Sequence, residues 1–69
     1  MNLVKVINSF IPKGTIHSNS AYRKIYIIHI LEDKTVSFKA LCLDNVVRVL
    51  NLPIADFEFE TKINLSNGI

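Results

Sequence analysis

Few side chains in this sequence are equipped for chemistry, and their spacing limits what that chemistry could be. His17 and His29 are the only histidines and Cys42 is the only cysteine among 69 residues. His17 stands in a polar stretch, His17-Ser18-Asn19-Ser20. An imidazole there can titrate near neutral pH or donate to a phosphate, although solvation is its plainer role. His29 lies inside an apolar run and reads as a satisfied core or interface imidazole. Cys42 precedes Asp44-Asn45, and a thiol beside a helix N-terminus is activated. Its neighbours Phe38, Ala40, Leu41 and Leu43 instead favour an inert buried cysteine.

The remaining candidates are charged. Asp56, Glu58 and Glu60 alternate with Ala55, Phe57 and Phe59. On a strand they would share one face. That acidic stripe is the expected partner-binding surface, mimicking an acidic ligand for a basic site, with a solvated strand face as the plain alternative. Lys13, Arg23 and Lys24 bracket the polar stretch, and Tyr22 and Tyr26 could stack on bases. These cations are the expected contacts if the protein binds nucleic acid instead. No CxxC or HxxxH spacing occurs, and the only glycines are Gly14 and Gly68. No metal centre or Gly-rich phosphate loop is expected. The sequence assigns no catalytic, cofactor or metal-binding residue, and the expectation is a non-enzyme.

These residues must be positioned by short elements. Leu3 to Ile11 predicts a strand, ended by Pro12-Lys13-Gly14. Thr15 to Ala21 is a polar loop, long for a hairpin connection. Tyr22 to Leu31 predicts a second strand with apolar residues at both parities: Ile25, Ile27, His29 and Leu31 against Tyr26, Ile28 and Ile30. Glu32-Asp33-Lys34 is a tight turn, and Thr35 to Leu41 alternates cleanly as a third strand. Asp44-Asn45 can cap a short helix through Val46 to Leu52, stopped by Pro53. Ala55 to Leu65 has a period close to two and predicts the last strand, before a frayed end at Ser66-Asn67-Gly68-Ile69.

The expected fold is therefore one α+β domain over residues 1–69: a mainly antiparallel sheet of about four strands in the order β-β-β-α-β, with one short helix packed on one face. A strongly curled SH3-like barrel is the alternative. One helix cannot cover both faces of the second strand. A symmetric homodimer with Tyr26, Ile28 and Ile30 at the contact would supply the missing cover.

Composition bounds the rest. Apolar residues make up 49% of the chain at a mean hydropathy of +0.30, which excludes a disordered tail. No apolar run approaches the ~18 residues that span a bilayer. Lys5 interrupts the N-terminal apolar run, so no signal peptide is expected. A single cysteine fits a reducing compartment, and the cytoplasm is the expected location. The net charge of +2 is divided unevenly. Residues up to Leu31 carry four cations and no acid, and the rest carry six acids against four cations. Ile, Asn and Lys are numerous, and their AT-rich codons are frequent in the short reading frames of phages and mobile elements. The function expected is a small protein-binding module, an accessory or inhibitor of phage type that occupies a partner protein's surface. A nucleic-acid-binding regulator is the alternative.

Overall fold

The computed structural model describes residues 4–13 and 15–65. Leu3, the Gly14 turn and the end at Ser66–Ile69 lie outside the described residues. Four strands form one open antiparallel sheet in sequence order, β1 (Val6–Phe10), β2 (Tyr22–Leu31), β3 (Thr35–Cys42) and β4 (Val47–Pro53), followed by one helix, α1 (Ile54–Thr61). The class, the strand number and the single helix on one face agree with the sequence. The sheet is not closed into a barrel, because β1 and β4 do not pair with each other.

The order of the last two elements is the reverse of that expected. The segment expected as a helix lies in β4 from Val47 onward, because three valines favour extended backbone over helix and Asp44-Asn45 makes a hairpin turn instead of a cap. Asn45 N–H donates to Cys42 O (2.9 Å), and Asn45 takes the left-handed conformation, φ 66°. The β2–β3 turn follows the same scheme, with Lys34 N–H on Leu31 O (3.1 Å) and Lys34 at φ 66°. In each turn the middle aspartate accepts the N–H two residues on: Asp33 from Thr35 and Asp44 from Val46, both at 3.1 Å. Both are three-residue hairpin loops.

Pro53, expected to stop a helix, instead precedes one, where its missing N–H costs nothing. Asp56 lies in the first turn, favourably placed in the helix dipole, and Lys62 closes the helix at φ 61° with its N–H on Glu58 O. Ile54, Phe57 and Thr61 share the face turned to the sheet. The Phe57-Glu58-Phe59-Glu60 alternation that suggested a strand is thereby divided: Phe57 is buried and Phe59 is 74% exposed.

The core lies between α1 and one face of the sheet. Ile25, Ile28, Ile30, Val36, Phe38 and Ala40 fill it with Phe57, Ile63 and Leu65. Phe38 takes Phe57 edge-on at 4.9 Å and Tyr22 edge-on at 5.2 Å. A register irregularity between Ile25 and Ile27 lets both Ile25 and Ile28 point inward, because an extra residue on one strand shifts its alternation by one. Ile28 and Ile30 are therefore fully buried beneath α1, while Tyr26 and Ile27 lie opposite Lys39 on the other face. Tyr26, expected at a dimer contact with Ile28 and Ile30, thus lies on the opposite face of the sheet from these two buried residues.

The two phenylalanines of α1 should separate in a stability measurement. Replacing Phe57 by Ala should cost about 3–5 kcal/mol in urea denaturation, as for other buried aromatic truncations. Phe59→Ala should stay within about 0.5 kcal/mol of the parent. Equal losses would mean that the segment is the strand its alternation suggested.

Candidate functional site

The sheet face turned away from α1 has no layer over it among the described residues. Cross-strand pairs share a face, so the register Ser9↔His29↔Ser37↔Asn51 and Ile27↔Lys39↔Val49 runs straight across it. Val6 and Leu31 at one end and Leu41 and Val47 at the other extend the same surface. Val6, Ile7, Val47 and Val49 are exposed on it, and Ile27, Leu31 and Leu41 are half-buried. The second strand's surplus of apolar residues thus has a physical meaning: one set fills the core and the other stays uncovered.

Tyr26 lies on this face with the Lys24 ammonium 5.0 Å and the Lys39 ammonium 5.9 Å from its ring centre. Both distances are within cation–π range. None of the four strands contains Asp or Glu; the acids occupy the two hairpin turns (Glu32, Asp33, Asp44) and α1 (Asp56, Glu58, Glu60). The open face is therefore cationic and apolar, and the helix layer opposite is acidic. The sequence showed charge segregated along the chain, and the fold converts it into segregation between two faces.

The acidic stripe does not form. On a helix residues are about 100° apart, so Asp56 and Glu60 lie about 40° from each other and Glu58 points elsewhere. Glu58 is committed to the fold: its Oε2 accepts the Leu65 N–H at 2.6 Å and draws the chain after α1 back over the core. Glu60 lies beside Tyr22. Burial first, and then this carboxylate, raise the Tyr22 phenol above its ordinary pKa.

Of the three N-terminal cations, Arg23 and Lys24 line a cleft of about 210 Å³ with Pro12, Ile16, Ile25 and Ile63. Lys13 is exposed and is not part of its lining. Lys39, which the sequence gave no reason to select, joins Lys24 instead, because only the β2–β3 register brings it beside Tyr26. His29 is half-buried on the open face, its Nδ1 2.7 Å from Ser9 Oγ. His17 lines a cavity of about 340 Å³ with Asn19, Ser20, Phe59 and Glu60. Its Nε2 is buried without a hydrogen-bond partner among the described residues.

Cys42 is half-buried at the end of β3, next to the turn whose Asp44 holds Arg48 in a two-pronged pair at 2.9 and 2.8 Å. The Arg48 hydrogen bonds, and then the Val46 N–H, lower the Asp44 carboxyl to about 2. The same pair raises the Arg48 guanidinium above its ordinary value. Among the described residues no three of His, Cys, Asp and Glu converge as metal ligands, and no helix is long and apolar enough to cross a membrane. Compared with family models, curated proteins and solved structures, the chain matches none.

The Asp44–Arg48 pair gives a titration with a definite sign. A carboxyl whose folded pKa is depressed contributes stability above the ordinary carboxylate pKa and loses it as pH falls toward about 2. Its NMR-detected midpoint should lie near 2 and rise toward the ordinary value of about 4 in Arg48→Ala. A midpoint unmoved by that substitution would show that the pair does not form in solution.

Proposed function

We propose that this protein is a small protein-binding module, an accessory or inhibitor of phage type, that lays its open sheet face on an apolar and acidic surface of another protein. The observation that carries this reading is the combination on one uncovered face of exposed valines and isoleucines, two lysines around Tyr26, and no strand carboxylate. Apolar area supplies the affinity, and the lysines select an acidic complement and steer its approach. With molecular extents of 33 × 27 × 18 Å, the broad face is comparable to the roughly 800 Å² that each partner contributes to a standard interface. Nucleic-acid platforms stack successive bases on several aromatic rings. This face offers the Tyr26 ring and a half-buried His29 ring held by Ser9 Oγ, among seven aliphatic side chains (Val6, Ile7, Ile27, Leu31, Leu41, Val47 and Val49), which favours a protein.

A tagged pull-down from the native host, compared across variants, tests the reading. Lys24→Glu with Lys39→Glu should reduce capture of the partner at least tenfold, whereas Asp56→Lys with Glu60→Lys should leave it intact. The reverse pattern would place the contact on the helix layer. Salt-sensitive binding of a single-stranded oligonucleotide, lost in the Lys24/Lys39 variant, would overturn the protein reading in favour of nucleic acid.

A further inference from the structure

The sheet has two edges, and they differ in how far their hydrogen-bonding groups are spent. β1 is five residues long, and its register with β2 is irregular between Val6 and Asn8. One donor on this edge is taken by a side chain: Ser9 N–H by Asn8 Oδ1 (2.9 Å). Bulges and occupied donors are what blunt an edge against further pairing.

β4 has none of this protection. Its seven residues pair with β3 without a register shift. Val46 O accepts from Cys42 N–H (3.0 Å), and Ile54 N–H donates to Lys34 O (3.2 Å). Antiparallel ladders bond alternate residues, so Arg48, Leu50 and Leu52 between these two bonds face β3. Val47, Val49 and Asn51 turn their N–H and C=O groups to the open side. Pro53 has no N–H to offer. Val47 is 44% and Val49 68% exposed, and no lysine, glutamate or bulge interrupts the edge.

We infer that β4 pairs with β4 of a second copy, antiparallel about a two-fold axis at Val49, joining two sheets into one of eight strands. In this register Val49 meets Val49, and Val47 of each copy meets Asn51 of the other. All three free N–H groups and all three free C=O groups are then bonded. A register one residue on, centred at Leu50, would set the Val47 carbonyl against a proline that cannot donate. Charge also admits a second copy. The only charged residue of β4 is Arg48, which the Asp44 carboxylate of its own chain holds at 2.8 Å, so no like charges meet along the seam. A two-fold axis normal to the sheet leaves both helices on one side and makes the two open faces continuous. The inference does not depend on what those faces bind.

Light scattering behind size exclusion, with two charge designs at exposed positions, tests the seam and its register. The parent should be dimeric at high micromolar concentration. Val47→Lys with Asn51→Lys places like charges opposite each other twice and should give a monomer. Val47→Lys with Asn51→Glu places opposite charges there and should restore the dimer. Circular dichroism confirms that each variant is folded. Amide exchange of the parent gives a reading without substitution: Val47, Val49 and Asn51 should become protected as concentration rises, and Arg48 and Leu50 should be protected throughout. A parent that stays monomeric, two variants of equal oligomeric state, or β4 amides that exchange freely at every concentration would each overturn the inference.

Discussion

The Phe57 ring reaches Phe38 edge-on at 4.9 Å, and Tyr22 reaches the same ring at 5.2 Å. That contact fixes where the single helix can lie, and the rest of the molecule follows from it. A chain of this size has apolar side chains enough for more than one layer, and among the described residues a single helix with which to bury them. Once α1 is committed to the Phe38 side, the opposite face has no cover among the described residues. The irregularity in β2 serves the same constraint, because it brings Ile25 and Ile28 together under the helix and leaves Tyr26 and Ile27 outside. The segment after α1 completes the core with Ile63 and Leu65, tied down through Glu58 and Thr61.

Two hairpin turns with the same chemistry build the sheet that receives α1. Each has an aspartate accepting a backbone N–H two residues on and a third residue in the left-handed region. Asn tolerates that conformation at Asn45. Lys34 adopts it at a cost of about 1–2 kcal/mol, by which the flanking strands must outweigh it. Turns this short force β2, β3 and β4 into neighbouring positions and leave β4 at the margin. The margin is then decided by details of the ladder: β1 is short, its register is irregular and the Asn8 side chain takes the Ser9 N–H, whereas β4 pairs with β3 without a shift.

Charge follows the architecture. Carboxylates occur in turns and on the helix, where water or the helix dipole stabilises them, and none lies on a strand. The result is a molecule with a cationic, apolar sheet face and an acidic helix layer. Glu58 belongs to the architecture more than to any surface, since its carboxylate organises the chain beyond α1.

The sequence alone determined the α+β class, the boundaries of β2 and the start of β3, the polar loop before β2, and the surplus of apolar surface on Tyr22–Leu31. These are carried by local chemistry: alternation over many residues, turn residues in clusters, and too few helical positions to cover them. It also named Lys24 and Tyr26 as candidate nucleic-acid contacts, and the fold sets the two side by side on the open face. Tertiary structure decided the identities of the last two elements. Phe57-Glu58-Phe59-Glu60 satisfies a period of two and, through Ile54, Phe57 and Thr61, a helical spacing as well. The ambiguity was resolved only by Phe38 offering a partner to one of the two rings. In the same way Val46–Leu52 could place Val46, Val49 and Leu50 on one helical face, until pairing with β3 satisfied its backbone and its β-branched residues together. The site had the same dependence. Lys39 joins Tyr26 across strands, and the acids separate from each other on a helix. Neither relation exists along the chain, because both arise from register and twist, which only the assembled sheet and helix supply.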